Sequence, residues 1–232
     1  VAQALDFWPI FAMHAISVAV FVTVAGLWAG PWLTDVYGYD LAGRGRMLLI
    51  IAVVQIAGVF VVGAIDRHFR SYRNPVVFFA AAIAVLLLVA AYAPPSRAWL
   101  PVWLAAFGLF ISFTPALTAH GRMLFPPETL GRGLTLLNFG VMAGAFFMQL
   151  GAGLVVQAVA GPVTQGYPPR AYAVLFTILA LIIAATLLAY ARTADRHPRG
   201  QLHGLARQTE VPIARTLGER VTAATTHRAA TT

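Results

Sequence analysis

Cysteine is absent from all 232 residues. With it go disulfide scaffolds, thiolate zinc sites, iron–sulfur centres and cysteine nucleophiles. Lysine is absent too, so the basic side chains besides histidine are 16 arginines. Charge of either sign is scarce, at 10% of residues against about 25% in an ordinary soluble domain. A chain that is 59% hydrophobic cannot clothe a water-soluble globule with so little charge, because large apolar patches would stay open. The same composition excludes disorder over most of the length. Phosphate-cradling loops, HExxH pairs and GxSxG elbows are missing as well. ATP-driven transport within this chain, zinc proteolysis and serine hydrolysis therefore lack their residues. The expectation is a protein that is not an enzyme, with no metal and no cofactor.

What is present is a series of long apolar runs. A helix rises about 1.5 Å per residue, so about 20 apolar residues cross a hydrocarbon core of ~30 Å. Six runs meet or approach that length: residues 7–33, 46–65, 75–92, 98–119, 134–160 and 171–191, here called spans a to f. Apolar residues go all round them, as helices surrounded by lipid and protein require. The ten-residue alternation of a transmembrane barrel is not seen. The expected fold class is an all-α integral membrane bundle of six helices over residues 1–192, followed by a basic polar tail at 193–232. Glycine and proline punctuate the connections, at Gly38 and Gly43, Pro94 and Pro95, Pro126 and Pro127, and Pro168 and Pro169. The segment from Asp66 to Asn74 reads as a short charged loop between b and c.

The net charge of +8 does not indicate a nucleic-acid partner, which would need the arginines clustered on one soluble face. Here they lie between spans and in the tail. With six alternating spans, Arg67, Arg70, Arg73, Arg122, Arg132, Arg192 and six tail arginines share one side. Arg44, Arg46, Arg97 and Arg170 take the other. The positive-inside bias puts the b–c loop, the d–e loop and both termini in the cytoplasm. The expected location is the inner, plasma membrane, with the lipid bilayer as an obligate partner. The chain starts with Val1, and more sequence is expected upstream.

Polar residues inside the spans are candidates for function. Span a carries His14, Ser17 and Thr23, and His14, Phe21, Trp28 and Asp35 recur every seven residues as one slowly drifting stripe. Trp28 and Trp32 also suit an aromatic belt at the membrane surface. Span d carries Ser112, Thr114, Thr118 and His120, with Pro115 inside it. Span e carries Asn138, Gln149 and Gln157, and a Gly140–Gly144 pair that matches a Gly26–Gly30 pair in span a. Small residues at that spacing let helix backbones approach closely. Gln55 in span b is expected to bond to a neighbouring helix. No carboxylate falls at mid-span, so a coupled proton would be carried by His14 or by a group outside this chain.

The b–c segment, Gly63-Ala-Ile-Asp66-Arg67-His-Phe-Arg70-Ser-Tyr-Arg73, resembles the loop signature of the major facilitator superfamily, Gly-x-x-x-Asp-Arg-x-Gly-Arg-Arg. Asp66, Arg67 and Arg70 match it. Gly63 sits one residue too close, and Phe69 and Ser71 depart from it. The d–e segment, through Pro127, Glu128, Gly131 and Arg132, resembles that family's Pro-Glu-x-x-Gly-Arg stretch between its tenth and eleventh helices. The resemblance implies one six-helix half of a twelve-helix secondary transporter, with spans a to f as helices seven to twelve. It implies an N-terminal six-helix half as partner, a small-molecule solute, and possible coupling to a proton or ion. Asp66, Arg67 and Arg70 would form a conformational lock. Spans a and d would line the substrate cavity, with His14, Ser17, Phe21, Trp28, Ser112 and Thr114 as its candidate residues. Two other readings remain open on the residues alone. One is a haem-b redox subunit, with His14 and His120 as the axial pair. The other is a non-catalytic membrane scaffold.

Overall fold

A computed structural model of the chain describes residues 2–69, 71–93, 96–162 and 166–195, with side-chain surroundings from residue 6 onward, 64–69 excepted. The compact unit of the described chain ends at Asp195. It is a bundle of six helices long and apolar enough to cross a membrane, and the described residues contain no strand. Span a comprises α1 (Ala2–Thr23), a π-helical turn (Val24–Trp28) and α2 (Ala29–Asp35). Span b is α3 (Leu41–Phe69) and span c is α4 (Arg73–Tyr92). Span d comprises α5 (Leu100–Phe110), a 3₁₀ turn (Ile111–Phe113) and α6 (Thr114–Arg122). Span e is α7 (Leu130–Ala160) and span f is α8 (Pro169–Tyr190).

The local chemistry explains most boundaries. Asp40 caps α3 by accepting from the Gly43 amide at 2.8 Å, so Gly43 is helical and not part of the a–b loop as the glycine pattern suggested. Gly161 ends α7 at φ 69°, where a residue with a Cβ would be strained. Asp66, Arg67 and His68 continue α3, which runs to Phe69. The b–c segment is thus largely helix, contrary to the loop reading. From Asp66 to Phe69 there is no glycine or proline to stop the helix, and basic residues suit a helix C-terminus.

The two broken spans have separate causes. In span d, Pro115 has no N–H to give to the Ile111 carbonyl, and the backbone tightens into the 3₁₀ turn just before it. In span a, the Ala29 amide bonds to the Val24 carbonyl, five residues back. Such a π turn inserts one residue and disturbs the carbonyl ladder. Gln149 of α7 donates to the Val22 carbonyl beside it, at 3.4 Å.

The packing has an exchanged three-plus-three pattern. When a–b–c and d–e–f are taken as triplets, the first helix of each lies along the second helix of the other. Thus α1 packs on α7, and α5 packs on α3. The third helices, α4 and α8, pack on each other, and the two first spans meet through α1 and α6. Each triplet has an odd number of crossings, so the two run in opposite directions through the bundle.

Glycines set the closeness of both exchanged contacts. A Cβ on Gly140 would meet the Phe11 ring at 2.4 Å, and one on Gly144 the Ala15 carbonyl at 3.2 Å. On the other side, a Cβ on Gly108 would meet the Ile51 carbonyl oxygen at 2.6 Å. The Gly26–Gly30 pair does nothing comparable, since both positions are open to 4 Å. Gly26 lies in the π turn and is not a packing glycine.

The two ends of the bundle are laced differently. At one end, called the near end, Ala194 N–H donates to Asp6, which places the start of α1 beside the end of the described chain. Asp195 accepts from the Ser71 hydroxyl at 2.5 Å and from the Tyr72 and Arg73 amides at 3.1 and 3.3 Å. It therefore caps α4 from another strand of chain. Arg73 returns a bond to the Thr193 carbonyl. Replacing Asp195 by Ala should cost about 1–2 kcal/mol, the usual worth of a helix cap. It would be read as a lower unfolding temperature of the purified protein.

At the far end, Asp35 accepts from the Tyr167 amide at 2.9 Å and the Tyr172 hydroxyl at 2.5 Å. Arg97 donates to the Tyr37 and Gly38 carbonyls and lies over the Tyr39 ring. Burial and the nearby Tyr39 phenol push Tyr37 up to about 12. Trp28 and Trp32 are buried at this end and are not a lipid-facing belt. Trp32 packs edge-on to Tyr37, Trp103 and Phe176.

Candidate functional site

Two cavities lie beside span a, one toward each end. The near-end cavity holds about 470 Å³, within the range of small-ligand pockets. Its walls come from α1, α6 and α7, and its polar lining is His14, Thr114, Thr118, Arg122 and Asn138. The far-end cavity, about 660 Å³, lies between span a, α7 and the e–f connection. Trp28, Gln149, Gln157 and Tyr167 supply its polar edges, and among the described residues no charged one lines it.

His14 sits eight residues beyond Asp6, about 12 Å along the helix, and is 5% exposed. Its Nε2 is 3.2 Å from the Thr118 hydroxyl. The Thr118 hydroxyl also lies 3.3 Å from the Thr114 carbonyl, and its one proton goes to that carbonyl or to Nε2 according to the imidazole tautomer. The other ring nitrogen is Nδ1. That Nδ1 is buried and has no partner among the described residues, and the same holds for the Trp28 indole N–H at the other cavity. An orphaned buried polar atom costs about 1–3 kcal/mol. Both cavities carry one such atom on span a, His14 ahead of the π turn and Trp28 at its last residue.

The remaining candidate residues are distributed as follows. Ser17 spends its hydroxyl on the Met13 carbonyl at 2.6 Å, within its own helix. Phe21 packs against the hydrophobic core. Ser112 donates to the Gly108 carbonyl and reaches the Gln55 carbonyl of α3 at 3.0 Å. The cross-helix bond expected at Gln55 thus runs through its main chain. Pro127 and Glu128 lie exposed in a 3₁₀ turn, and Gly131 and Arg132 lie exposed in the first turn of α7. The side chains of Asp66 and Arg67, and all of Arg70, lie outside the described residues.

His120 has a different role from His14. Its Nε2 lies 3.1 Å from the Ala194 carbonyl, which can only accept, so Nε2 is the protonated nitrogen. Nδ1 then accepts from the Tyr190 hydroxyl at 2.8 Å. Both ring nitrogens are engaged within the protein, and the residue is fully buried. It fastens α6 to α8 and to the chain that follows. Neither nitrogen is free for the axial ligation that the haem reading requires of it.

Sequence reasoning missed three residues of the near-end site, Thr118, Arg122 and Asn138, Thr118 being taken only as a polar residue of span d. Asn138 was noted only as a polar residue of span e, and Arg122 only as part of the orientation count. A helical-wheel reading of α6 could have found Arg122, because Pro115, Thr118 and Arg122 follow the i, i+3, i+7 spacing of one helix face. Nothing in a single span shows that α7 supplies the third wall. A comparison of the chain with protein-family models finds no match, and neither does one with curated proteins.

Proposed function

We propose that this chain is one six-helix half of a secondary transporter of the major facilitator type, moving a small solute by alternating access. It is not an enzyme on this reading. The observation that carries the proposal is the exchanged packing of two oppositely directed triplets, with a broken first helix in each. Inverted repeats of three helices, with discontinuous helices at the binding site, are a recurring construction of secondary transporters. Each break lies within the first span of its triplet, span a or span d. The near-end cavity is walled by α1 and α6 of these same spans together with α7.

The free faces support the same reading. Of the apolar stretches, 17% of α3 and 22% of span e are buried, against 50% of span a and 56% of span d. Ile56 and Phe60 on α3, and Phe139 and Phe147 on α7, point away from the bundle. A second six-helix half would pack on these two helices, and its own inner face would close the cavity from the open side. The orientation follows the arginine bias, with the near end in the cytoplasm and the protein in the plasma membrane. The Asp66–Arg67 helix end would then sit on the cytoplasmic side, where it could lock one state.

The test is flux. Proteoliposomes holding the intact protein should take up at least one solute of a chemically varied panel, with saturation and with counterflow against the same solute inside. Absence of saturable uptake across the panel, in protein shown to be folded, would remove the transporter reading and leave a scaffold.

A further inference from the structure

The near-end cavity is charged on one side only. Arg122 lines it from the last turn of α6, and among the described residues no carboxylate lines it. Three acids among the described side chains are bonded to other groups. Asp6 accepts from Ala194, Asp35 from Tyr172 and Asp195 from Ser71. Glu128 lies exposed in the 3₁₀ turn before α7. Arg122 makes no side-chain hydrogen bond to the described residues, and neither does Asn138 opposite it on α7. The guanidinium brings five N–H donors and the amide two. Behind them the wall is His14, Thr114 and Thr118, and the Thr118 hydroxyl lies between His14 Nε2 and the Thr114 carbonyl. The far-end cavity has amides and an indole instead, without a charge.

We propose that the near-end cavity is an anion site. Arg122 and Asn138 take the oxygens of a carboxylate or phosphate group, and the His14–Thr118 wall holds the neutral part of the same molecule. This names the class of solute for the transporter reading and rests on that reading only for the solute's passage. A planar guanidinium facing no acid pairs best with a two-oxygen anion, through parallel charge-assisted bonds. The same chemistry could serve a free organic anion or the phosphate of an anionic lipid, because Arg122 also stands at a span end.

Benzoate, benzamide and benzylamine share one ring and differ in charge, so they separate the classes. Each is titrated against the intact protein in lipid-free detergent, with the unfolding temperature as readout. Benzoate should bind at least tenfold more tightly than either of the others. Arg122→Gln should weaken benzoate about tenfold or more, the worth of a charged hydrogen bond, and leave benzamide unchanged. Arg122→Lys should recover part of the loss, because it restores charge without the planar fork. Arg122 is exposed, so these variants are expected to fold. Asn138→Leu gives an independent check through the other donor and should also weaken benzoate. Equal binding of the three compounds, or benzoate binding indifferent to Arg122→Gln, overturns the proposal.

Dioctanoyl phosphatidylglycerol assigns the source. If it stabilises through Arg122 and benzoate cannot displace it, the anion is a lipid headgroup. If benzoate displaces it, the site serves a free solute. Both outcomes support an anion site. Uptake into phosphatidylcholine vesicles keeps this proposal separable from the transporter reading. Arg122-dependent benzoate binding without uptake of any solute retains the anion site and removes transport. Saturable benzamide uptake without benzoate binding retains transport and removes the anion class.

Discussion

Gly108→Val should abolish stable folding, while Gly26→Ala should leave the protein unchanged. The difference lies in what each new side chain meets. At Gly108 the first added carbon falls 2.6 Å from the Ile51 carbonyl oxygen and 3.2 Å from the Ile51 Cα. Main chain cannot rotate out of the way as a side chain can, so α3 and α5 would have to separate. Overpacking typically costs about 1–3 kcal/mol, and a clash with main chain belongs at the top of that range or above it. At Gly26 nothing lies within 4 Å, so the expected change is within about 0.5 kcal/mol. Recovery of monodisperse protein and its unfolding temperature decide the matter. Equal behaviour of the two variants would mean that the α3–α5 contact is not as close as described.

His14→Leu is expected to separate stability from function. The substitution deletes an orphaned buried polar atom, Nδ1, whose cost is about 1–3 kcal/mol. It also deletes the Nε2–Thr118 bond, worth about 0.5–1.5 kcal/mol. The two terms offset, so the unfolding temperature should hold or rise slightly. Uptake should fall at least tenfold, because the deepest polar group of the near-end cavity is gone. His14→Gln, which keeps a polar group there, should retain more uptake than Leu. A large loss of stability in His14→Leu would show that the imidazole is a structural bond and not a cavity group. Unchanged uptake would remove the near-end cavity from the solute's path.

Much of the fold was legible because lipid imposes one simple rule on every span. Apolar length alone placed all six spans to within a few residues at most ends. The misplacements at the two ends of α3 arose where polar residues continued a helix beyond its apolar run. The Asp40 cap and the Asp66–Phe69 extension are examples. Proline announced the break in span d, but the π turn in span a has no proline to announce it. It is held in part by Gln149 from a helix far along the chain, which a local reading cannot see. The same limit applied to the site. His14 and Thr114 stood out as polar residues in apolar runs, and both line the near-end cavity. Ser17 and Ser112 stood out equally, yet their hydroxyls are spent on carbonyls. Seven-residue spacing along span a identified a face, but the π turn shifts the face halfway along. The role of His120 depended on Tyr190 and Ala194, about seventy positions later in the chain.

The central claim is that the chain crosses the bilayer six times, with its near end and far end on opposite sides. The natural absence of cysteine makes the measurement direct, since each introduced thiol is the only one present. Thr129→Cys and Arg192→Cys place thiols at exposed near-end positions, and Ser96→Cys places one at an exposed far-end position. A membrane-impermeant maleimide added to sealed, oriented vesicles should label Thr129→Cys and Arg192→Cys from one side and Ser96→Cys only from the other. Labelling of Ser96→Cys and Thr129→Cys from the same side would contradict the six-span bundle and the cavity built on it.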